Sequence, residues 1–244
     1  MDAETPDILR DVWVYLARDP LLHLTLTLVG FQIGAWVYRK AGLNPLANPV
    51  LIAVLLVVAA LALTGTTYDR YFEGAQFVHF LLGPATVALA VPLYRQVVRL
   101  RRSGPAIVAS ILAGSLAASI SAVAVAWAMG AGRDTLIALA PKSVTAPVAM
   151  GIAEALGGLP SLTAVLVILT GILGAMLGPP LLTLIGVRDW AARGLAMGVA
   201  SHGIGTARAL QVNEVAGAFA GLAMGLNALA TAALLPLLAG LVLG

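Results

Sequence analysis

Apolar stretches of helical length run along the chain, separated by short polar interruptions. Leu21 to Tyr38 is the first, closed by Arg39 and Lys40. Leu46 to Leu63 is the second, unbroken from Leu51 to Leu63. It is entered through Asn44-Pro45 and Asn48-Pro49, where proline suits a first helical turn. Gln76 to Tyr94 follows, with Gly83-Pro84 in its middle and Pro92 near its end, so this segment should be kinked or broken. Then come Pro105 to Met129, Thr135 to Leu156, Leu162 to Ile185, Trp190 to Leu210 and Val215 to Leu243. Crossing a hydrocarbon core of roughly 30 Å takes about 20 helical residues, which several of these supply. The pattern predicts an all-α polytopic membrane protein of about seven to eight transmembrane elements, two or three of them broken or re-entrant.

Composition sharpens this. Of 244 residues, 60% are hydrophobic and only 10% charged, with a mean hydropathy of +0.98. A water-soluble domain carries about a quarter charged residues, so this chain cannot clothe itself in a solvated surface. Few charges lie beyond Ser103, which leaves nothing with which to build a nucleic-acid face. Without cysteine, disulfides, thiolate metal sites and thiol catalysis are excluded. His23, His79 and His202 stand far apart without ligand spacing. Residues 1–20 are acidic and carry Trp13, Tyr15 and Arg18, as expected of an amphipathic segment at the membrane interface and not of a signal peptide. Residues 21–244 form the transmembrane domain.

Arginines orient the chain. Arg95, Arg99, Arg101 and Arg102 share one connection and Arg39 with Lys40 another, two crossings apart, so the positive-inside rule puts both in the cytoplasm and the N-terminus outside. Arg188 and Arg193 also prefer the inside, which favours a re-entrant element after Arg133.

Three interruptions carry the chemistry: Gly83-Pro84, the segment from Pro141 to Pro147, and Ser201-His202-Gly203-Ile204-Gly205-Thr206, where the two glycines are the expected source of the break. Unpaired peptide groups survive in a bilayer only where protein or a water-filled cavity satisfies them, so the breaks imply a polar cavity. A half-helix start also offers N–H groups to a carboxylate. Lys142 either snorkels or pairs with Glu154, or meets an anion. Ser143 and Thr145 are helix caps or ligands. His202 either donates to a neighbouring carbonyl or handles a proton or carboxylate. Arg208 clamps a carboxylate or anchors at the headgroups. Gly217, Gly221 and Gly225 line one face suited to close helix packing. No nucleophile elbow and no phosphate-binding Gly-rich loop occurs, so nothing marks the chain as an enzyme or an ATP-driven pump.

Residues 82–94, Pro141-Lys142-Ser143-Val144-Thr145-Ala146-Pro147-Val148-Ala149-Met150 and His202-Gly203-Ile204-Gly205-Thr206-Ala207-Arg208-Ala209 resemble the signature segments of the LrgB/CidB family. Gly157-Gly158-Leu159-Pro160 and residues 169–174 match as well, so the likeness covers residues 20–244. Ala146 and Gly151 depart from it, and Gly151 removes an acidic residue common at that position. The resemblance implies one of two roles. Some members are described as holin-like or antiholin-like modulators of murein hydrolase activity and lysis, working with a small LrgA/CidA-type membrane partner. Plant relatives translocate glycolate and glycerate, and some bacterial pairs are tied to pyruvate uptake. It also implies antiporter/bile-acid-symporter-like repeats, with broken helices crossing at the substrate site.

The leading expectation is thus a carrier or facilitator of small 2-hydroxy- or 2-oxo-monocarboxylates in the bacterial inner membrane. Its site would be drawn from Pro84, Thr86, Lys142, Ser143, Thr145, His202, Gly203, Gly205, Thr206 and Arg208. No resident cofactor is expected, H+ or Na+ coupling stays open, and the expected partners are lipid, the LrgA/CidA-type protein and further copies of the chain. The alternative is the holin-type oligomer.

Overall fold

The computed structural model describes residues 20–81, 84, 90–95 and 97–242. Thr86, the acidic residues 1–19 and the side chain of His79 lie outside what is described. The described residues are helical, without strands, and the chain divides into two compact units between Val87 and Ala88.

The first unit contains α1 (Pro20–Lys40), a 3-10 turn (Pro45–Ala47), α2 (Pro49–Thr64) and α3 (Tyr68–Phe80). The Asn-Pro pairs act as the sequence suggests: Asn44 Oδ1 accepts from the Leu46 amide, and Asn48 Oδ1 from those of Val50 and Leu51, at 2.8 and 3.2 Å. Gly34 and Gly74 let α1 approach its neighbours closely. A Cβ on Gly34 would run into the Pro49 carbonyl, and one on Gly74 into that of Pro20. α2 is apolar along its length, yet of its residues only Val57 is buried. Leu55, Val58 and Leu63 face outward, as hydrocarbon permits and water does not. α3 starts earlier than its apolar run suggests, taking in Asp69, Arg70 and Glu73.

The second unit contains α4 (Ala90–Arg95), α5 (Val97–Ala128), α6 (Arg133–Leu139), α7 (Ala146–Ala155), α8 (Pro160–Leu184), α9 (Trp190–Val212) and α10 (Glu214–Val242). Among the described residues, four helices, Pro20–Lys40, Ser103–Ala128, Pro160–Leu184 and Glu214–Leu238, are long and apolar enough to cross a membrane. Pro105 does not open α5 as its position suggests. It sits inside the helix, because the preceding Val-Val-Arg-Leu-Arg-Arg segment is helix-compatible and one proline removes a single hydrogen bond.

Small residues set the packing. Gly194 presses on the Ala216 carbonyl and Gly198 on that of Ala220, so the first half of α9 runs beside the start of α10 in the same direction. Of the expected α10 glycines, Gly217 does pack closely, since a Cβ there would lie 2.6 Å from Leu210 Cα, whereas one on Gly225 would meet nothing within 4 Å. Against α8 the order reverses: Gly178 faces Met197, Gly174 faces Ser201 and Gly171 faces His202. α5 joins through Gly114 on Val199 and a 2.9 Å bond between Ser115 and Thr231. Ile107, Ile111, Val199, Phe219 and Ala223 close the core there. Arg95 and Glu214 pair at 2.9 Å, tying the end of α4 to the start of α10.

Candidate functional site

Two interrupted helices meet in the second unit. The first interruption lies between α6 and α7, where the two prolines and the lysine predict it. Residues 140–145 form turns, with the Lys142 amide bonded to the Leu139 carbonyl at 3.1 Å and the Val144 amide to that of Pro141 at 3.2 Å. Beyond the interruption the chain comes back: Ile137 on α6 packs against Gly158, which follows α7. Pro141, Ser143 and Val144 are buried at the tip. Lys142 is half-buried and its Nζ donates to Ser143 Oγ at 3.2 Å, so it does not pair with Glu154. Thr145 occupies the N-cap of α7 without a side-chain capping bond, which leaves the first amides of α7 uncapped by that hydroxyl.

The second interruption is at His202, with φ 40° and ψ −133°. The sequence points to Gly203 and Gly205 as the source of this break, but the left-handed residue is the histidine between Ser201 and Gly203. Gly205 serves a different purpose, because after the turn α9 folds back on itself. A Cβ on Gly205 would lie 2.8 Å from the Met197 carbonyl. Met197 and Ala209 share one apolar cluster, and Trp190, Arg193, Arg208 and Val212 line one small cavity. His202 is therefore the tip of a two-armed element. The residue is 5% exposed, and its ring Nε2 lies 2.9 Å from the Val167 carbonyl. A carbonyl only accepts, so Nε2 carries the proton and donates. Thr206 Oγ1 donates to the His202 carbonyl at 2.7 Å. Gly171 and Gly174 of α8 make room for this tip: a Cβ on Gly171 would lie 2.6 Å from His202 Cε1, and one on Gly174 would overlap Ser201 Oγ.

Both tips reach the middle of α8, one from each of its ends. The α6–α7 tip packs Val144 and Ala149 on Val167, and the α9 tip places His202 on the same residue's carbonyl. What joins them is Asn227, in the middle of α10 and 1% exposed. Its Nδ2 donates to the Ser143 carbonyl at 3.3 Å and to the Val199 carbonyl at 3.2 Å. Sequence reading missed it, although a lone amide in an apolar 29-residue helix is itself a signal.

Lys142, Ser143, Thr145, His202, Gly203 and Thr206 are thus at or beside the two tips. Arg208 is not at a tip; it lines the cavity with Arg193, whose guanidinium bonds the carbonyls of Val187 and Pro179 at 2.9 Å each. Pro84 belongs to the first unit and is exposed. The expected open polar cavity is replaced at the tips by a packed centre, in which Ser143, Ser201, His202, Thr206 and Asn227 are all buried. Side chains there bond carbonyls that water would otherwise have to satisfy. Two oxygens go unsatisfied, Ser201 Oγ and Asn227 Oδ1.

Residues 27–241 match the LrgB-like family. The chain is 38% identical to the uncharacterized protein YxaC of Bacillus subtilis over 208 residues, covering 85% of this chain and 90% of YxaC. It is 34% identical to the holin-like protein CidB of Staphylococcus epidermidis over 218 residues, covering 89% of this chain and 95% of that one. Identity and coverage are the same with the holin-like protein CidB of Staphylococcus aureus. No solved structure matches significantly.

Proposed function

The chain belongs to the LrgB-like family of membrane proteins, and from that membership and the geometry of its two tips we propose that it is a secondary carrier or facilitator of small 2-hydroxy- or 2-oxo-monocarboxylates such as glycolate, glycerate, lactate or pyruvate. The observation that carries the reading is the meeting of two interrupted helices halfway along α8, held by one buried amide. α8 has 25 residues, about 37 Å at 1.5 Å each, enough to span the hydrocarbon core, so a spanning α8 would carry its middle near the membrane midplane. In this reading α5, α8 and α10 cross, while α6–α7 and α9 re-enter from opposite faces. Irregular backbone at that depth is the usual architecture of a transporter site.

Charge supports the same topology. Re-entry of both elements puts Arg95, Arg188, Arg193 and Arg208 on one face, the cytoplasmic one by the positive-inside rule, with Arg133 on the other. The Arg95–Glu214 pair fits, since it needs the start of α10 and the end of α4 on the same face. The carboxylate would lie between the uncapped amides of α7 and the Lys142 ammonium. His202, its Nε2 held by Val167, keeps Nδ1 for a proton. The buried tips correspond to a closed form between the two openings.

Uptake of labelled glycolate and pyruvate into liposomes holding the purified protein, with and without an LrgA/CidA-type partner, tests this. Saturable flux that Lys142→Ala abolishes supports it, and absence of saturable anion flux rejects it. The name of the Staphylococcus relatives favours a second reading, a holin-like role in lysis control. That role predicts leakage of dye-sized solutes and indifference to Lys142→Ala, and it asks for neither a lysine at a tip nor an amide joining two of them.

A further inference from the structure

Asn227 has more to do than brace two tips. The Ser143 and Val199 carbonyls can only accept, so both amide hydrogens of Asn227 are turned toward them, and the reverse orientation would set oxygen against two oxygens. That fixes Oδ1 on the opposite side of the amide, where it has no hydrogen-bond partner although the residue is 1% exposed. A buried acceptor left unsatisfied has lost its hydration without replacement, a cost the fold does not accept for nothing. A leucine at this depth would carry no such penalty but would leave both carbonyls without a donor. The amide is therefore required by the tips, and its spare oxygen is a buried acceptor at their junction without a donor of the protein's own.

We propose that Asn227 is the specificity-determining residue of this site, its Oδ1 accepting a hydrogen bond from the 2-hydroxyl of a 2-hydroxy-monocarboxylate. The inference rests on the carrier reading and narrows it. A 2-oxo acid has no donor at that carbon and sets its carbonyl against Oδ1, while a plain carboxylic acid leaves Oδ1 empty. Sites built to pair a substrate hydroxyl reject analogues lacking it far more strongly than apolar pockets reject a missing methylene, because the buried partner is left alone. Ser201 Oγ is not assigned the same role. It can donate as well as accept, and it is pressed against Gly174 on α8.

The experiment uses the full-length protein in liposomes and three acids of equal carbon number: lactate, pyruvate and propionate. Each competes against labelled lactate, and each is also measured for its effect on the melting of the detergent-solubilised protein. Lactate should compete at least about tenfold better than the other two, and Asn227→Leu should bring the three within about threefold of one another. Equal competition by pyruvate and lactate in the unaltered protein overturns the inference while leaving the carrier intact. Preference for lactate that survives in Asn227→Leu overturns the assignment to this residue. Absence of saturable flux for any of them removes the carrier reading and this one with it. Should Asn227→Leu fail to fold, the acid series on the unaltered protein still decides whether a hydroxyl is read, and Asn227→Gln, which keeps both amide hydrogens but moves the oxygen by one methylene, must then narrow the preference for lactate over propionate; an unchanged preference overturns the assignment to this residue.

Discussion

His202 gives a stability test whose sign is opposite to the usual one. At φ 40° and ψ −133° it holds a conformation that only glycine adopts freely, a strain of about 1–3 kcal/mol. Replacing it by alanine keeps the Cβ and so keeps the strain, while losing the imidazole and its bond to the Val167 carbonyl, worth about 0.5–1.5 kcal/mol. Replacing it by glycine loses the same bond but releases the strain. The more flexible unfolded chain takes back about 0.4–1 kcal/mol. His202→Gly should therefore be more stable than His202→Ala by roughly 0.5–2 kcal/mol, whereas in an ordinary helix interior glycine is the worse of the two by about 0.5–1 kcal/mol. Melting in detergent, followed by intrinsic fluorescence of the 4 tryptophans, reads the order directly. Both variants should lose carboxylate flux, because strain carried by a histidine next to Gly203 argues that the imidazole is wanted at the tip. A His202→Ala protein that melts at or above His202→Gly would refute the strained-tip reasoning.

Gly174→Ala should destabilise by about 1–3 kcal/mol, because its Cβ would overlap Ser201 Oγ, whereas Gly225→Ala, with open space around it, should be neutral or stabilising by up to about 1 kcal/mol; equal melting shifts would undo this account of the packing. The chain has no cysteine, so single cysteines report topology without prior engineering: Arg188→Cys and Val212→Cys should react with an impermeant maleimide from one membrane face and Arg133→Cys from the other, and labelling of residues 188 and 212 from opposite faces would mean that α9 crosses. The Arg95–Glu214 pair is more than half exposed, so a double-mutant cycle on it should give no more than about 1 kcal/mol; a larger coupling would mean a burial the geometry does not provide.

Much of the helical layout is legible from local chemistry alone. Two prolines six residues apart, with a lysine between them, mark an interruption that no bilayer helix would carry by accident, and α6 and α7 stop and start within a residue or two of it. Asn44 and Asn48 announce their caps. The second interruption is legible only as a neighbourhood. Glycines make a turn affordable at several positions between Ser201 and Thr206, but which residue turns depends on where the ring of His202 finds the Val167 carbonyl, 35 residues away. The α10 glycine stripe is legible only in part for the same reason, Gly217 pressing on Leu210 while Gly225 meets open space. Close approach needs a small residue facing a partner, and Gly194 and Gly198 face Ala216 and Ala220, a match that spacing within a single helix does not reveal.

Asn227 differs from these cases, because elimination could have reached it. In the middle of a 29-residue apolar helix its short side chain cannot snorkel to an interface. Its helical neighbours three and four residues away are Ala223, Met224, Ala230 and Thr231, and the threonine hydroxyl is bonded to Ser115. An amide that can pair neither with water nor along its own helix must find backbone groups that have lost their partners, and in a chain of continuous helices these exist only at interruptions. The sequence advertises two within reach of the same unit. Its two amide hydrogens match the two carbonyls, 84 residues upstream at Ser143 and 28 upstream at Val199. The satisfied half of the side chain explains why the tips meet where they do, and the unsatisfied half is the reason to expect a hydroxyl there.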